Sequence, residues 1–295
     1  MPKYSNFAIV ASFFCLWIVS LITFKAQTFV GFYLILSFGI LHGSNDLLLI
    51  SNINSSKITT SFIKTLIYYV VIVLLGAILF YLIPWFALSI FIIVSGYHFG
   101  EQQWQDLDHI KIRYLKKIFQ LIYGMLILFL LFNFHEDEVQ KVVFEITSKK
   151  IAIGIIPMVL KVILLFFISI SLYLYISTKN FKKIIFTEIF YLIVFTIIFK
   201  VSSLIWGFAI YFIIWHSIPS IIDQLHYLYG KASYENFYIY FKSAFIYWLV
   251  SLIGIALFYF YLGDQKIFNA LFFSFLAAIT FPHVLVIIKM FEKKS

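Results

Sequence analysis

The chain has 295 residues, of which 63% are apolar and 12% charged, and its mean hydropathy is +1.01. Ordinary soluble domains are about a quarter charged, so this composition excludes a soluble protein and predicts an integral membrane protein. The net charge of +9 comes from lysines and arginines scattered through short loops. They form no basic face or arm, which argues against binding to nucleic acid.

The first apolar segment runs from Phe7 to Phe24 and contains Cys15, the single cysteine of the chain. This segment is longer than the apolar core of a signal peptide and has no small-residue cleavage site, so it is predicted to be the first transmembrane helix. One cysteine excludes a disulfide framework and a cysteine-based zinc or iron–sulfur site. Any metal must therefore be held by His, Asp or Glu.

A helix needs about 20 mostly apolar residues to cross the bilayer core. Charged and turn-rich stretches divide the chain into about ten such segments, which predicts an all-α transmembrane bundle folded as one domain over residues 1–295. The boundaries at Pro84 and at 200–202 are tight, which leaves eight or nine full spans open. The longest loop, "HEDEVQKVVFEITSKK", has room for a short amphipathic helix. The predicted spans are 7–25, 28–50, 61–83, 85–104, 117–134, 151–177, 184–200, 202–222, 238–262 and 267–290.

With ten spans, both chain termini and the loops at 51–60, 105–116, 178–183 and 223–237 share one side of the membrane. That side carries most of the 22 lysines and arginines, and the positive-inside rule makes it cytoplasmic. We therefore expect both termini inside the cell and the protein in the cytoplasmic (inner) membrane.

The seven histidines divide into two groups. His109, His135 and His226 fall in loops, where a solvated histidine needs no special role. The other four each lie in an apolar run, about six to eight residues before the inner end of a span that runs inward. At 1.5 Å per residue this places all four on the order of 10 Å deep, so they are predicted to form one layer. They are His42 in "ILHGSND", His98 in "SGYHFGEQQW", His216 in "IIWHSIPSIIDQ" and His283 in "TFPHVLVI".

Four intramembrane histidines at a common depth point to one shared partner, because polar groups in lipid are costly and pair with something. Neutral imidazole binds iron, copper, zinc and nickel, so a metal ion is the predicted partner. The alternatives are that each histidine makes a hydrogen bond between helices, and that nearby acidic residues only mark the membrane boundary. Ligating histidines commonly donate their second N–H to a polar group, and the candidates for that role are Asp46, Glu101, Asn45 and Asp223.

These segments resemble the Brp/Blh family of bacterial and archaeal membrane β-carotene 15,15′-dioxygenases. The resemblance runs from the "HGSNDLL" helix to "FPHVLVI", and "HGSND" and "YHFGEQQW" are its most specific parts. It implies an Fe(II) held by histidines and an O2-dependent central cleavage of β-carotene into two all-trans-retinal molecules. Membrane lipid is the expected surrounding, and a rhodopsin is an expected recipient of the retinal.

Carried over by motif, the resemblance assigns His42, His98 and His216 as iron ligands. Some family members have a further histidine one turn after the third ligand, where this chain has Ser220. His283 is therefore the candidate for the fourth ligand, because its depth and helix direction match those of the others. The rival interpretation from another class is a transporter or proton channel that uses intramembrane His, Asp and Glu as a relay, although the chain shows no repeat symmetry.

Overall fold

The computed structural model describes residues 2–54, 62–105, 107, 112–262 and 265–294. These residues are almost entirely helical and include no strand, which confirms the all-α fold class. The helices are α1 (Pro2–Val19), α2 (Phe24–Gly43), α3 (Asp46–Asn54), α4 (Phe62–Leu82), α5 (Pro84–Gln103), α6 (Arg113–Phe134), α7 (Glu136–Thr147), α8 (Ile155–Ser177), α9 (Lys179–Val201), α10 (Leu204–Ile210), a π-helix (Tyr211–Ser217), α11 (Ile218–Tyr229), α12 (Tyr234–Leu262) and α13 (Gln265–Lys294).

Seven segments of the described chain are long and apolar enough to cross a membrane, which indicates a membrane protein. Two shorter apolar helices, Tyr4–Val19 and Leu66–Leu82, accompany them. The figure of ten spans and the orientation of the termini stay predictions. The seven segments are Phe24–Ile53, Tyr114–Phe134, Ile155–Ser177, Lys179–Val201, Leu204–Tyr229, Tyr234–Gly254 and Ser274–Lys293.

Two of the predicted spans that carry a buried histidine are not continuous α-helices. The span at 28–50 is interrupted after Gly43, and the chain becomes helical again at Asp46. The span at 202–222 is built from α10, the π-helix and α11. Both interruptions lie beside a histidine, where polar side chains bond the backbone in place of regular helix bonds. The short helix expected in the longest loop is confirmed as α7, which carries three acidic residues in its first turn and so complements the helix dipole.

The chain packs as two compact units, each made of several segments, and the single domain expected from the sequence stays a prediction. In unit 1, α6 packs on α8 and α9, while α1 and α10 also contact α9. In unit 2, α13 packs on α3, α4 and α12, and α11 contacts α3 and α12. Unit 1 comprises Met1–Phe32, Ile92–Phe144 and Lys149–His216, and unit 2 comprises Tyr33–Phe91, Glu145–Ser148 and Ser217–Ser295.

The crossing of α5 and α6 in unit 1 brings two backbones into direct contact. A Cβ at Gly100 would overlap the carbonyl oxygen of Gln120, and a Cβ at Gly124 would overlap the carbonyl oxygen of Gly96. Small residues four apart allow this approach, as in other membrane helix pairs. His98 lies between Gly96 and Gly100, so this crossing fixes the helix turn that carries it.

We predict that Gly100→Ala destabilises the protein, because the added methyl group meets backbone atoms that have no rotamer to adjust. Overpacking costs about 1 to 3 kcal/mol, and a loss at the upper end lowers the melting temperature by on the order of 10 °C. Thermal unfolding in detergent, followed by intrinsic tryptophan fluorescence, measures this. Gly254→Ala is the matched control, because nothing lies within 4 Å of a Cβ built there. Equal melting temperatures for the two variants would contradict the prediction.

Candidate metal centre

In unit 2, His42 near the end of α2 meets His283 in α13. Their ring centroids lie 4.7 Å apart with the planes at 84°, an edge-to-face arrangement. Both side chains are buried, with 4% and 3% of their residue surface exposed. α2 ends at Gly43, and Pro282 in the middle of α13 has no N–H to donate. Regular helix bonding is therefore interrupted beside each of the two histidines.

The hydrogen bonds of this pair define which ring nitrogen carries the proton. Nδ1 of His42 lies 3.2 Å from the carbonyl oxygen of Phe38, and Nδ1 of His283 lies 2.8 Å from Oδ1 of Asp46. A carbonyl oxygen and a carboxylate oxygen act as acceptors, so Nδ1 is the donor in both imidazoles. The other ring nitrogen, Nε2, is then the atom through which each imidazole can bind a metal ion.

Asp46 is held in place by a second hydrogen bond. The hydroxyl of Tyr69 in α4 donates to its Oδ2 at 2.9 Å, and 1% of the residue is exposed. From its position one turn beyond His42, the sequence suggested Asp46 as a polar neighbour of the candidate metal site. In the structure this carboxylate bonds His283, which lies 237 positions after Asp46 in the chain.

The break between α2 and α3 is stabilised by a network of amide and hydroxyl groups. Asn45 Nδ2 donates to the carbonyl of Tyr240 at 2.9 Å, and Ser243 Oγ donates to Asn45 Oδ1 at 2.7 Å. The Tyr240 hydroxyl donates to Gln224 Oε1 at 2.8 Å. Gln224 Nε2 in turn donates to the carbonyl of His42 at 2.9 Å. Asn45 therefore orders the backbone that follows His42.

In unit 1, His98 of α5 meets His216 of the π-helix. Their ring centroids are 4.6 Å apart with the planes at 79°, and both residues are buried. Aromatic rings surround His216: Phe99 contacts it edge to face at 4.7 Å, and Phe212 stacks on it at 5.6 Å. Gln102 Nε2 donates to the carbonyl of His216 at 3.1 Å, which links α5 to the π-helix.

The remaining residues singled out in the sequence are Glu101, Asp223 and the three histidines assigned to loops. Glu101 is buried and its Oε1 accepts a hydrogen bond from the Tyr97 hydroxyl at 3.0 Å. Asp223 is buried on α11. Of the three histidines assigned to loops, His135 bonds the carbonyl of Phe199 at 2.8 Å and His226 bonds a carbonyl of its own helix. His109 lies outside the described residues.

The sequence analysis missed a buried carboxylate in unit 1. Glu188 of α9 accepts hydrogen bonds from Gln103 Nε2 at 3.0 Å and from the Tyr123 hydroxyl at 2.8 Å. It thereby connects α5, α6 and α9. The signal was present, because Glu188 stands in the apolar run "TEIFYLIVF", and an ionisable residue within a span marks a site of interest by default.

The buried imidazoles are suited to hold a metal ion. His42 and His283 of unit 2 and His98 of unit 1 are candidate metal ligands. Their donor atoms are neutral ring nitrogens, which suit iron, copper, zinc and nickel. The carbonyl and carboxylate bonds to Nδ1 in unit 2 match the usual outer contacts of ligating histidines. The residues present therefore fit a metal, although imidazole donors do not by themselves distinguish among these ions.

The chain was compared with protein families, curated proteins and solved structures. The model of the family "beta-carotene 15,15′-dioxygenase" matches residues 33–291, which leaves α1 outside the match. Neither the curated proteins nor the solved structures include a match. The matched range contains His42, His98, His216 and His283 and implies a carotenoid-cleaving dioxygenase activity. The chain belongs to the beta-carotene 15,15′-dioxygenase family.

Proposed function

We propose that this protein is an iron-dependent oxygenase that cleaves the central 15,15′ double bond of β-carotene with O2 and yields two all-trans-retinal molecules. The observation that carries the proposal is the pairing of buried histidines in each unit, 4.7 Å and 4.6 Å between ring centroids, within the range matched by the family. Imidazole nitrogens and an apolar surrounding are what such a reaction requires of the protein.

In this proposal His42, His98, His216 and His283 hold one Fe(II) together. In unit 2 the Nδ1 bonds of His42 and His283 leave Nε2 as the donor atom, which supports ligation through that nitrogen. His283 serves as the fourth ligand because Asp46 orients its ring. Ser220 stands where some family members have a histidine, and its hydroxyl accepts from Gln224 at 3.2 Å.

The bound iron would supply the site at which O2 reacts with the polyene, since four ligands leave up to two of six positions open. The protein positions the substrate and keeps water out of the site. β-Carotene partitions into lipid, so a site among transmembrane helices receives it without extraction into water. Buried rings such as Phe99 and Phe212 beside His216 exclude water and protect reactive intermediates.

The surroundings of the protein follow from the same proposal. We place it in the cytoplasmic membrane with about ten spans and both termini inside, as the lysine and arginine distribution indicates. Its substrates are β-carotene and O2, and the retinal that it forms leaves into the lipid phase, from which a rhodopsin can take it. Reporter fusions at the two termini are expected to show both on the cytoplasmic side, and a periplasmic terminus would contradict this topology.

The proposal predicts that cells which accumulate β-carotene lose it and gain retinal when they express this protein. His42→Ala removes one ligand and should abolish both retinal formation and iron binding, reducing iron from about one per chain to near zero. Chromatography of extracted pigments and metal analysis of purified protein measure the two quantities. His226→Ala is the matched control, because His226 is exposed on α11 and its ring bonds the carbonyl of Ile222 in the same helix.

Unchanged carotene in iron-supplied cells that express the wild-type protein well would overturn the proposed reaction. Retinal formation at the wild-type level in His42→Ala would remove His42 from the ligand set. A purified protein without metal that moved protons or solutes across vesicles would instead support the transporter or channel.

A separate prediction concerns Asp46, whose carboxylate fixes the tautomer of His283. Asp46→Asn keeps the shape of the side chain but replaces one acceptor oxygen with a donor. The hydrogen bond that Nδ1–H of His283 donates to this side chain therefore weakens. Loss of such an outer contact costs about 10- to 100-fold in metal affinity, which competition with a chelator measures. Asp137→Asn, at an exposed position of α7, removes the same charge and should leave the affinity unchanged. Equal affinities of the two variants would contradict this role.

A further inference from the structure

Helix α1 lies outside the range matched by the family, yet it contacts the segment that presents His216. It packs on α9, and three of its residues bond to α10 or the π-helix. The indole N–H of Trp206 donates to the carbonyl of Cys15 at 3.3 Å. Trp215 Nε1 donates to Ser12 Oγ at 2.9 Å, and the Tyr4 hydroxyl donates to the carbonyl of Ile214.

The hydrogen bond from Tyr4 takes the place of a backbone hydrogen bond that Pro219 cannot donate. In a π-helix each carbonyl accepts from the amide five residues later, and for Ile214 that residue is Pro219, which has no N–H. A carbonyl left without a donor inside a membrane protein is strongly destabilising. The Tyr4 hydroxyl supplies a donor to this carbonyl. A side chain of α1 thereby stabilises the irregular turn two residues before His216.

The bond to Ser12 fixes the residue directly before His216. Ser12 is fully buried, and its hydroxyl donates to the carbonyl of Ala8 at 2.7 Å, so its oxygen is oriented to accept from Trp215. The indole ring of Trp215 also packs against Tyr191 and Phe195 of α9, with centroids 5.1 Å and 4.8 Å away. Trp215 is therefore held between α1 and α9 by one hydrogen bond and two ring contacts.

We propose that α1 is a positioning element of this protein, in which Tyr4 and Ser12 hold the π-helix in the register that aims the imidazole of His216 at its pairing with His98. The link to catalysis rests on the proposed function, because it assumes that His216 binds the metal. The local effect on the π-helix does not, since it concerns hydrogen bonds only. A helix that served merely as a membrane anchor would not need a fully buried serine and a tyrosine bonded to another segment.

Hydrogen–deuterium exchange of the full-length protein in detergent tests the local effect without any metal. We expect amides in peptides covering 211–217 to exchange about fivefold faster in Tyr4→Phe and in Ser12→Ala, the factor that a net hydrogen bond of about 1 kcal/mol gives. Tyr81→Phe, at a strongly exposed tyrosine, and Ser20→Ala, whose hydroxyl bonds the carbonyl of Trp17 in its own segment, are the controls and should exchange as the wild type does.

The consequence for the site is tested by metal affinity and by rescue. Titration of metal-free protein with Co(II), followed by its visible absorption, should give weaker binding and an altered spectrum for Ser12→Ala. Ser12→Thr keeps the hydroxyl and should restore both. In carotene-accumulating cells, we expect the retinal yield to fall in Ser12→Ala and to be restored in Ser12→Thr.

Unchanged exchange at 211–217 in both variants would overturn the proposal. Faster exchange with wild-type Co(II) affinity and spectrum would overturn the positioning of His216 while leaving the contacts themselves intact. A wild-type protein that forms no retinal would instead contradict the proposed function, and the exchange measurement would still decide whether α1 orders the π-helix.

Discussion

The need to satisfy every polar group without water governs this structure. Inside a membrane, an imidazole, an amide or an open carbonyl must find its partner within the protein. Around the histidines the chain does so with three pairs: Asp46 for the Nδ1–H of His283, Gln224 for the carbonyl of His42, and Gln102 for the carbonyl of His216. The breaks in its helices are therefore stabilised by side chains from other helices, which lie 114 to 237 positions away in sequence.

The two units hold their histidines by different physical means. In unit 2 a carboxylate and a carbonyl bond the rings of His283 and His42, which fixes both tautomers and leaves Nε2 as the donor. In unit 1 the ring of His216 is packed among aromatic side chains, and the backbone around it takes π-helical geometry. π-Helical turns are frequent at functional sites because they redirect a side chain that a regular helix would aim elsewhere.

Hydropathy and position along the helices were enough to predict the all-α fold class and to single out four histidines that the structure buries, because a span of 20 apolar residues and an imidazole within it are local signals. The partners were not predictable in this way. Asp46 is local to His42 in sequence, yet its carboxylate bonds His283. Tyr69 and Glu188 belong to other helices, and only the packing of those helices brings them to their partners. The π-helix at 211–217 has no distinctive pattern of residues, apart from Pro219 just beyond it.

The turn of α5 that follows His98 favours the proposed metal centre over a proton relay. Gln102 bonds the carbonyl of His216, and the next residue, Gln103, bonds Glu188, which also accepts from Tyr123. One short sequence, "EQQW", thus ties the helix that carries His98 to the π-helix on one side and to α6 and α9 on the other. A relay works through side chains that exchange partners as protons pass, whereas these amides are fixed to backbone and carboxylate acceptors. Such fixed supports suit a metal site, because its ligands must keep their geometry.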